Sequence, residues 1–215
     1  MALRQIVGIG GYPQDSLVEY VLGLARGPKV LYVPTADMEN LESSAEWHER
    51  VGAGTLRFNP WPPDDLRAFA LEHDVIVVGG GNTANMLAVW RVHGFDRVLR
   101  EAWEQGIVLT GWSAGMICWF EAGITDSFGP QLEGMRDGLG FLRGSACPHY
   151  DGEERRRPVY RRLVAEGFPA GIALDDAAAA HYVGTELHAV VASTETAAGY
   201  RVDRSGEERI EPTRA

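Results

Sequence analysis

Residues 107–120 read IVLTGWSAGMICWF. An apolar, β-prone run leads into Gly111-Trp112-Ser113-Ala114-Gly115, and an apolar segment of helical character follows. A hydroxyl flanked by small residues, where a strand gives way to a helix, is the pattern of a nucleophile elbow. The same letters suit an ordinary tight turn, because Gly and Ser favour turns for conformational reasons alone. The rest of the chain has to decide between the two.

Outward from this stretch, apolar β-branched runs alternate with segments of helical period. RQIVGIG, KVLYVPT, GTLRFNP, DVIVVGG and GIVLTGW read as strands, separated by helices near SLVEYVLGLA, LESSAEWHERV, ANMLAVWRVHG and FDRVLREAWEQ. Strands that are apolar throughout, alternating with amphipathic helices, predict a mostly parallel sheet covered by helices on both faces: a three-layer α/β fold. Ligands of such sheets sit at the strand C-termini. After residue 123 the pattern loosens into a stretch rich in Gly, Pro and Asp, followed by a helix near RPVYRRLVAEG. GIALDD, AAAHYVG, LHAVVAS and GYRVD then predict a short antiparallel extension, and the polar tail, about residues 203–215, is expected to fray.

The chain has 215 residues, enough for one domain over 1–215 that buries a core without staples. A formal charge of −10 opposes nucleic-acid binding, which depends on Lys and Arg contacts to phosphates. No apolar run approaches the ~20 residues that span a bilayer, so no membrane partner is expected. The N-terminal MALRQIVGIGGYP lacks the apolar region of a secretory signal and reads as a first strand. Cys118 and Cys147 form no metal-ligand spacing. Free thiols in a reducing cytoplasm are the expectation.

A serine hydroxyl attacks an acyl carbon only if a base takes its proton and fixed donors receive the charge on the carbonyl oxygen. Gly79-Gly80-Gly81-Asn82-Thr83 follows a strand and precedes a helix, so its backbone amides can approach a ligand closely. Neither GGGNTAN nor GIGGYP fits a dinucleotide fingerprint. Of the six histidines, His48, His73 and His93 lie in polar or helix-end settings, whereas His149, in CPHYDGE, follows a strand-like run and enters a loop. An imidazole there can serve as a general base near neutrality. Asp175 and Asp176 follow the apolar run GIAL, and Asp126, in GITDSFGP, is a further candidate acid. The order Ser, acid, His of an α/β-hydrolase would need Asp151 with His181 or His188, leaving PHYDGE unexplained. The order Ser113, His149, Asp176 is instead that of class I glutamine amidotransferase-like folds.

With GGGNT after a strand, GWSAG at the elbow, PHYDGE carrying the histidine and GIALDDAAA near the acid, the sequence resembles the peptidase E family, serine peptidases built on a flavodoxin-like, glutamine amidotransferase-like scaffold, with cyanophycinase a more distant relative. The resemblance implies Ser113 as nucleophile, His149 as base and Asp176 as the third member, where relatives commonly carry Glu. It places the oxyanion hole at the amides of Ala114 and of Gly80 or Gly81, with Asn82 helping to hold that loop and, together with Tyr150, lying beside the substrate. Family members that cleave after an N-terminal aspartate hold its carboxylate with an arginine, which Gly152-Glu153-Glu154-Arg155 matches, with Arg156 as a substitute. A guanidinium suits bidentate carboxylate recognition. The resemblance thus implies a cytoplasmic dipeptidase for Asp-Xaa substrates that needs neither metal nor organic cofactor. A homodimer is compatible with the sequence. The rival readings are a glutaminase, whose usual elbow cysteine is here Ser113 with Cys118 displaced into the helix, and a non-catalytic module that holds a small anion on GGGNT.

Overall fold

The computed structural model describes residues 2–215. Its first half runs β1 (Gln5–Ile9), α1 (Asp15–Gly23), β2 (Val30–Val33), α2 (Leu41–Val51), β3 (Gly54–Thr55), α3 (Leu66–Leu71), β4 (Val75–Val78), α4 (Thr83–His93), α5 (Phe95–Glu104) and β5 (Val108–Trp112). The elbow carries α6 (Ala114–Ile117), then β6 (Phe120–Thr125), β7 (Glu133–Met135), β8 (Leu142–Cys147), α7 (Arg156–Ala165) and β9 (Gly171–Leu174). The chain ends with β10 (Ala178–Val183), β11 (Glu186–Ala192), β12 (Gly199–Asp203), β13 (Gly206–Ile210) and β14 (Thr213–Arg214).

The larger sheet has the order β14-β11-β10-β1-β5-β4-β2-β3. Strands β1 to β5 are mutually parallel, and β10 adds antiparallel beside β1, followed by β11. Alternation along each strand divides the core. Val30 and Tyr32 of β2, with Val75 and Val77 of β4, face Leu17 and Val21 of α1 and Trp47 of α2. Leu31 and Val33, with Ile76 and Val78, face Trp90 of α4 and Phe95, Leu99 and Trp103 of α5. Burying each such side chain contributes roughly 1.5–3 kcal/mol, which exceeds the differences in helix propensity between residue types and fixes these helices on the sheet.

Three expectations need correction. The antiparallel extension is only part of the second half: a separate six-stranded sheet, β13-β12-β9-β8-β6-β7, packs one face on the main core and the other on Tyr160 and Val164 of α7. The tail does not fray, because β13 pairs with β12 from Gly199↔Ile210 to Asp203↔Gly206 and β14 pairs with β11. The helical segment after the elbow is also shorter than its apolarity implies. It stops at Ile117, and Phe120–Thr125 is a strand. An unbroken apolar run carries no period that separates buried helix from buried strand.

Candidate active site

The C-terminal ends of β1, β4, β5 and the loop before β10 converge on one rim of the larger sheet. At Ser113 the backbone takes φ 53° and ψ −113°, outside the conformations a non-glycine residue ordinarily adopts. Neighbouring contacts impose it. The Ser113 N–H donates to Ile9 O at 3.3 Å, while the N–H groups of Met116 and Ile117 donate to Ser113 O at 3.0 Å each. Gly111 and Gly115 both lie so close to Val78 O that neither has room for a Cβ. The turn from β5 into α6 therefore rests directly on β4, and the serine side chain stands at the rim, half-buried.

The glycine loop abuts that serine. A Cβ on Gly80 would lie 2.8 Å from Trp112 Nε1 and 3.3 Å from Ser113 Cβ. Gly81, at φ 130°, passes against the Ala36 carbonyl, where any side chain would collide with backbone. Among the described residues, the amides of Gly80, Gly81 and Ala114 donate to no protein acceptor. Asn82 caps α4, accepting from Asn85 N at 2.9 Å, and donates Nδ2 to Ser127 O at 3.0 Å. It ties the loop to the 126–130 segment, the loop-holding role expected of it.

His149 Nδ1 lies 2.6 Å from Asp176 Oδ1. His149, like Ser113, has positive φ, at 54°. Among the described residues its other ring nitrogen, Nε2, and the Ser113 hydroxyl make no hydrogen bond. Asp176 receives the His149 ring because its backbone is fixed: Gly11 N donates to Asp176 O at 2.9 Å, and Asp176 N donates to Asp151 Oδ1 at 2.8 Å. Glycines at 11 and 152 leave the carboxylate its space. Ser113 and Asp176 thus hang on opposite sides of the end of β1, and two strand spacings separate their backbones by roughly 10 Å.

Of the rival acids, Asp175 turns away. Its Oδ2 accepts from Ala198 N at 2.9 Å, and burial, partly offset by that amide, raises its carboxyl to about 6. Asp126 is exposed and makes no side-chain bond to His149 among the described residues. His181 sits mid-strand opposite Val7, between Tyr20 OH (2.9 Å) and Gln5 Oε1 (3.2 Å), away from the elbow.

The arginines separate clearly. Arg156 is buried, bound to Glu153 (2.8 Å) and to Ile124 O (2.7 Å), so it cannot substitute as a substrate ligand. Arg155 is exposed and donates Nη1 to Pro130 O at 3.2 Å, in the segment that Asn82 also holds. Tyr150, expected beside the substrate, is instead buried, with its hydroxyl donated to Glu207 Oε2 at 2.6 Å. The structural roles of Asp151, Gly152, Ser127 and Glu207 escaped the sequence reading. Asp151 and Gly152 lie in PHYDGE and Ser127 in GITDSFGP, stretches singled out for other residues, and Glu207 lies in the polar tail. Among the described residues, no group of three or more His, Cys, Asp or Glu side chains is arranged to hold a metal ion, and no helix is long and apolar enough to cross a membrane.

An α/β scaffold that presents an elbow serine, amides without partners and a carboxylate-bound imidazole on one sheet rim is that of a serine-type hydrolase. Comparison with known proteins narrows the class. Residues 11–190 match the model of peptidase family S51, and the chain belongs to that family of serine-type peptidases. It is 42% identical to the uncharacterized peptidase YgaJ of Bacillus subtilis (strain 168), over 93% of this chain and 92% of that protein. The crystal structure of a peptidase from an acI-B1 actinobacterium superposes with a TM-score of 0.68 at 17% identity, covering 98% of this chain and 95% of that one. A structure described as a peptidase E protein from Listeria monocytogenes EGD-e gives 0.64 at 18% identity, covering 98% of this chain and all of the other.

Proposed function

We propose that the chain hydrolyses short peptides through Ser113, His149 and Asp176, as a dipeptidase that prefers an N-terminal aspartate. The observation that carries this reading is the 2.6 Å contact of Asp176 with His149 Nδ1, on the rim where Ser113 occupies its strained elbow. With Nδ1 held by the carboxylate, the ring directs Nε2 to the serine as proton acceptor, and the carboxylate stabilises the imidazolium that forms. Ser113 Oγ attacks the peptide carbonyl, and the Ala114 amide with that of Gly80 or Gly81 receives the oxyanion. His149 returns the proton to the leaving amine, and water then hydrolyses the acyl-enzyme by the same route. Arg155, exposed at the start of α7, supplies a guanidinium to pair with the substrate's aspartate carboxylate.

The test is a panel of Asp-Xaa, Glu-Xaa, Asn-Xaa and Ala-Xaa dipeptides with Ser113→Ala and Arg155→Ala beside the wild-type chain. Ser113→Ala is expected to lose at least about 10³-fold in kcat. Arg155→Ala is expected to lose the preference for Asp over Ala while retaining activity on neutral dipeptides. Full activity in Ser113→Ala would refute the nucleophile, and unchanged discrimination in Arg155→Ala would refute the specificity.

A further inference from the structure

Glu207 lies on β13, and its carboxylate gathers groups from α7 and from the histidine loop. It accepts the Tyr150 hydroxyl at 2.6 Å and Arg157 Nε at 3.0 Å, with Arg161 Nε 3.8 Å away. Burial opposes its charge, but the Arg157 and Tyr150 hydrogen bonds outweigh this and hold it below the usual carboxylate range. Tyr150 is the residue after His149. Its ring is buried against Tyr200 at 5.2 Å, its N–H donates to Leu174 O at 3.0 Å, and the Arg157 guanidinium covers both rings. On the other half of the pair, Asp175 precedes Asp176. Its N–H donates to Ala198 O at 3.1 Å and its Oδ2 accepts from Ala198 N at 2.9 Å, with the Tyr200 hydroxyl at 3.5 Å.

Ala198 leads into β12, Tyr200 lies on it, and β12 and β13 form one hairpin. The His149 and Asp176 backbones are therefore both tied, through the adjacent residue, to the same hairpin. Positive φ at His149 persists only where the surroundings enforce it, and the Tyr150 anchor does so from the next position. We infer that the β12–β13 hairpin braces the imidazole in register with Ser113, with Glu207 and Tyr150 as positioning residues for the reaction.

The inference rests on the reading of His149 as general base. Full-length Tyr150→Phe, Glu207→Ala, Glu207→Gln and the double variant Tyr150→Phe/Glu207→Ala are compared with His149→Ala on a dipeptide substrate, with folded fraction followed by near-UV circular dichroism. Small misplacements of a catalytic group cost up to about a hundredfold in rate. Tyr150→Phe and Glu207→Ala are each expected to lower kcat about tenfold at unchanged KM, with labelling of Ser113 by a fluorophosphonate slowed in proportion. Glu207→Gln keeps an acceptor for the phenol and is expected to recover most of the loss, while the double variant falls no further than Glu207→Ala. Tyr150→Phe removes one oxygen atom and serves even if Glu207→Ala fails to fold. Wild-type kcat in folded Tyr150→Phe, or a loss that only tracks the unfolded fraction, overturns the brace. Full activity in His149→Ala overturns the base assignment instead, so the two failures are distinguishable.

Discussion

Asp175 and Asp176 are adjacent in the chain and serve opposite partners: Asp176 Oδ1 lies 2.6 Å from His149 Nδ1, whereas Asp175 Oδ2 accepts the Ala198 amide at 2.9 Å. Only the second of the pair can hold the imidazole tautomer. Asp176→Asn is expected to lower kcat by about 10³- to 10⁴-fold, as loss of the orienting carboxylate does in serine hydrolases. Asp175→Asn keeps an oxygen for Ala198 and is expected to stay within about threefold of wild type, because its amide oxygen preserves the hydrogen bond. Steady-state kinetics of the two variants decide, and equal losses would reject the division of roles.

Asp175 also makes a stability prediction with a definite sign. Burial raises its carboxyl from 3.8 to about 6, so the folded chain holds the proton more tightly than the unfolded one. Its contribution is complete below pH 3.8 and is lost as pH rises through about 6. Ionised Asp175 then costs on the order of 2–3 kcal/mol near neutrality. Asp175→Asn should exceed wild type in urea midpoint at pH 7.5 and lose that advantage by pH 4. A difference that does not vary with pH would contradict the assignment.

The parallel half of the fold was legible because its strands and helices carry different periods. VLYV and VIVV are buried on both faces, and α2 and α4 begin at Asn40 and Asn82, whose side chains cap them. The second sheet was not legible as such. The apolarity of α6 runs on without a break into Phe120, the first residue of β6, and β13 is written in polar letters because it lies at a sheet edge. At the site, Ser113, His149 and Asp176 stood out because each closes a strand-like run with a small or polar residue. Tyr150 was misplaced because its neighbour in space, Glu207, lies 57 positions further on, a distance local pattern does not reach.

His181 gives the opposite pH signature. Burial, with the neighbouring His188 adding to it, lowers its imidazole from 6.5 to about 4, so folding is favoured with the ring neutral. That contribution is present above pH 6.5 and is lost as pH falls towards about 4. His181→Gln should narrow the gap to wild type over this window, measured by urea unfolding at pH 7.5, 6 and 4.5. If the gap stays constant with pH, the buried ring does not titrate as described.

Gly152 tests how tightly the carboxylate of Asp176 is seated. A Cβ at this position would overlap Asp176 Oδ2, and a Cβ on Gly11 would lie only 2.6 Å from Oδ1 of the same carboxylate. Gly152→Ala must therefore displace either the loop or the carboxylate. The expected result is a fall in kcat of about ten- to a hundredfold with little change in KM, as a misoriented catalytic group produces. Unaltered kcat would mean that the 149–155 loop yields without disturbing the His149–Asp176 contact.

The elbow itself predicts a conflict between stability and activity. Ser113 at φ 53° and ψ −113° occupies a conformation costing about 1–3 kcal/mol for a residue with a Cβ, and glycine adopts it more readily. Ser113→Gly and Ser113→Ala both delete the hydroxyl, so both should be inactive. They differ in strain: alanine keeps the Cβ, whereas glycine releases it and gives back only part of the gain, about 0.5–1 kcal/mol, as unfolded-state entropy. For a chain of this size each kcal/mol moves Tm by roughly 2–4 °C. Ser113→Gly should therefore melt a few degrees above Ser113→Ala. If alanine is the more stable of the two by calorimetry, the turn between β5 and α6 stores no strain, and its unusual backbone cannot be what presents the serine.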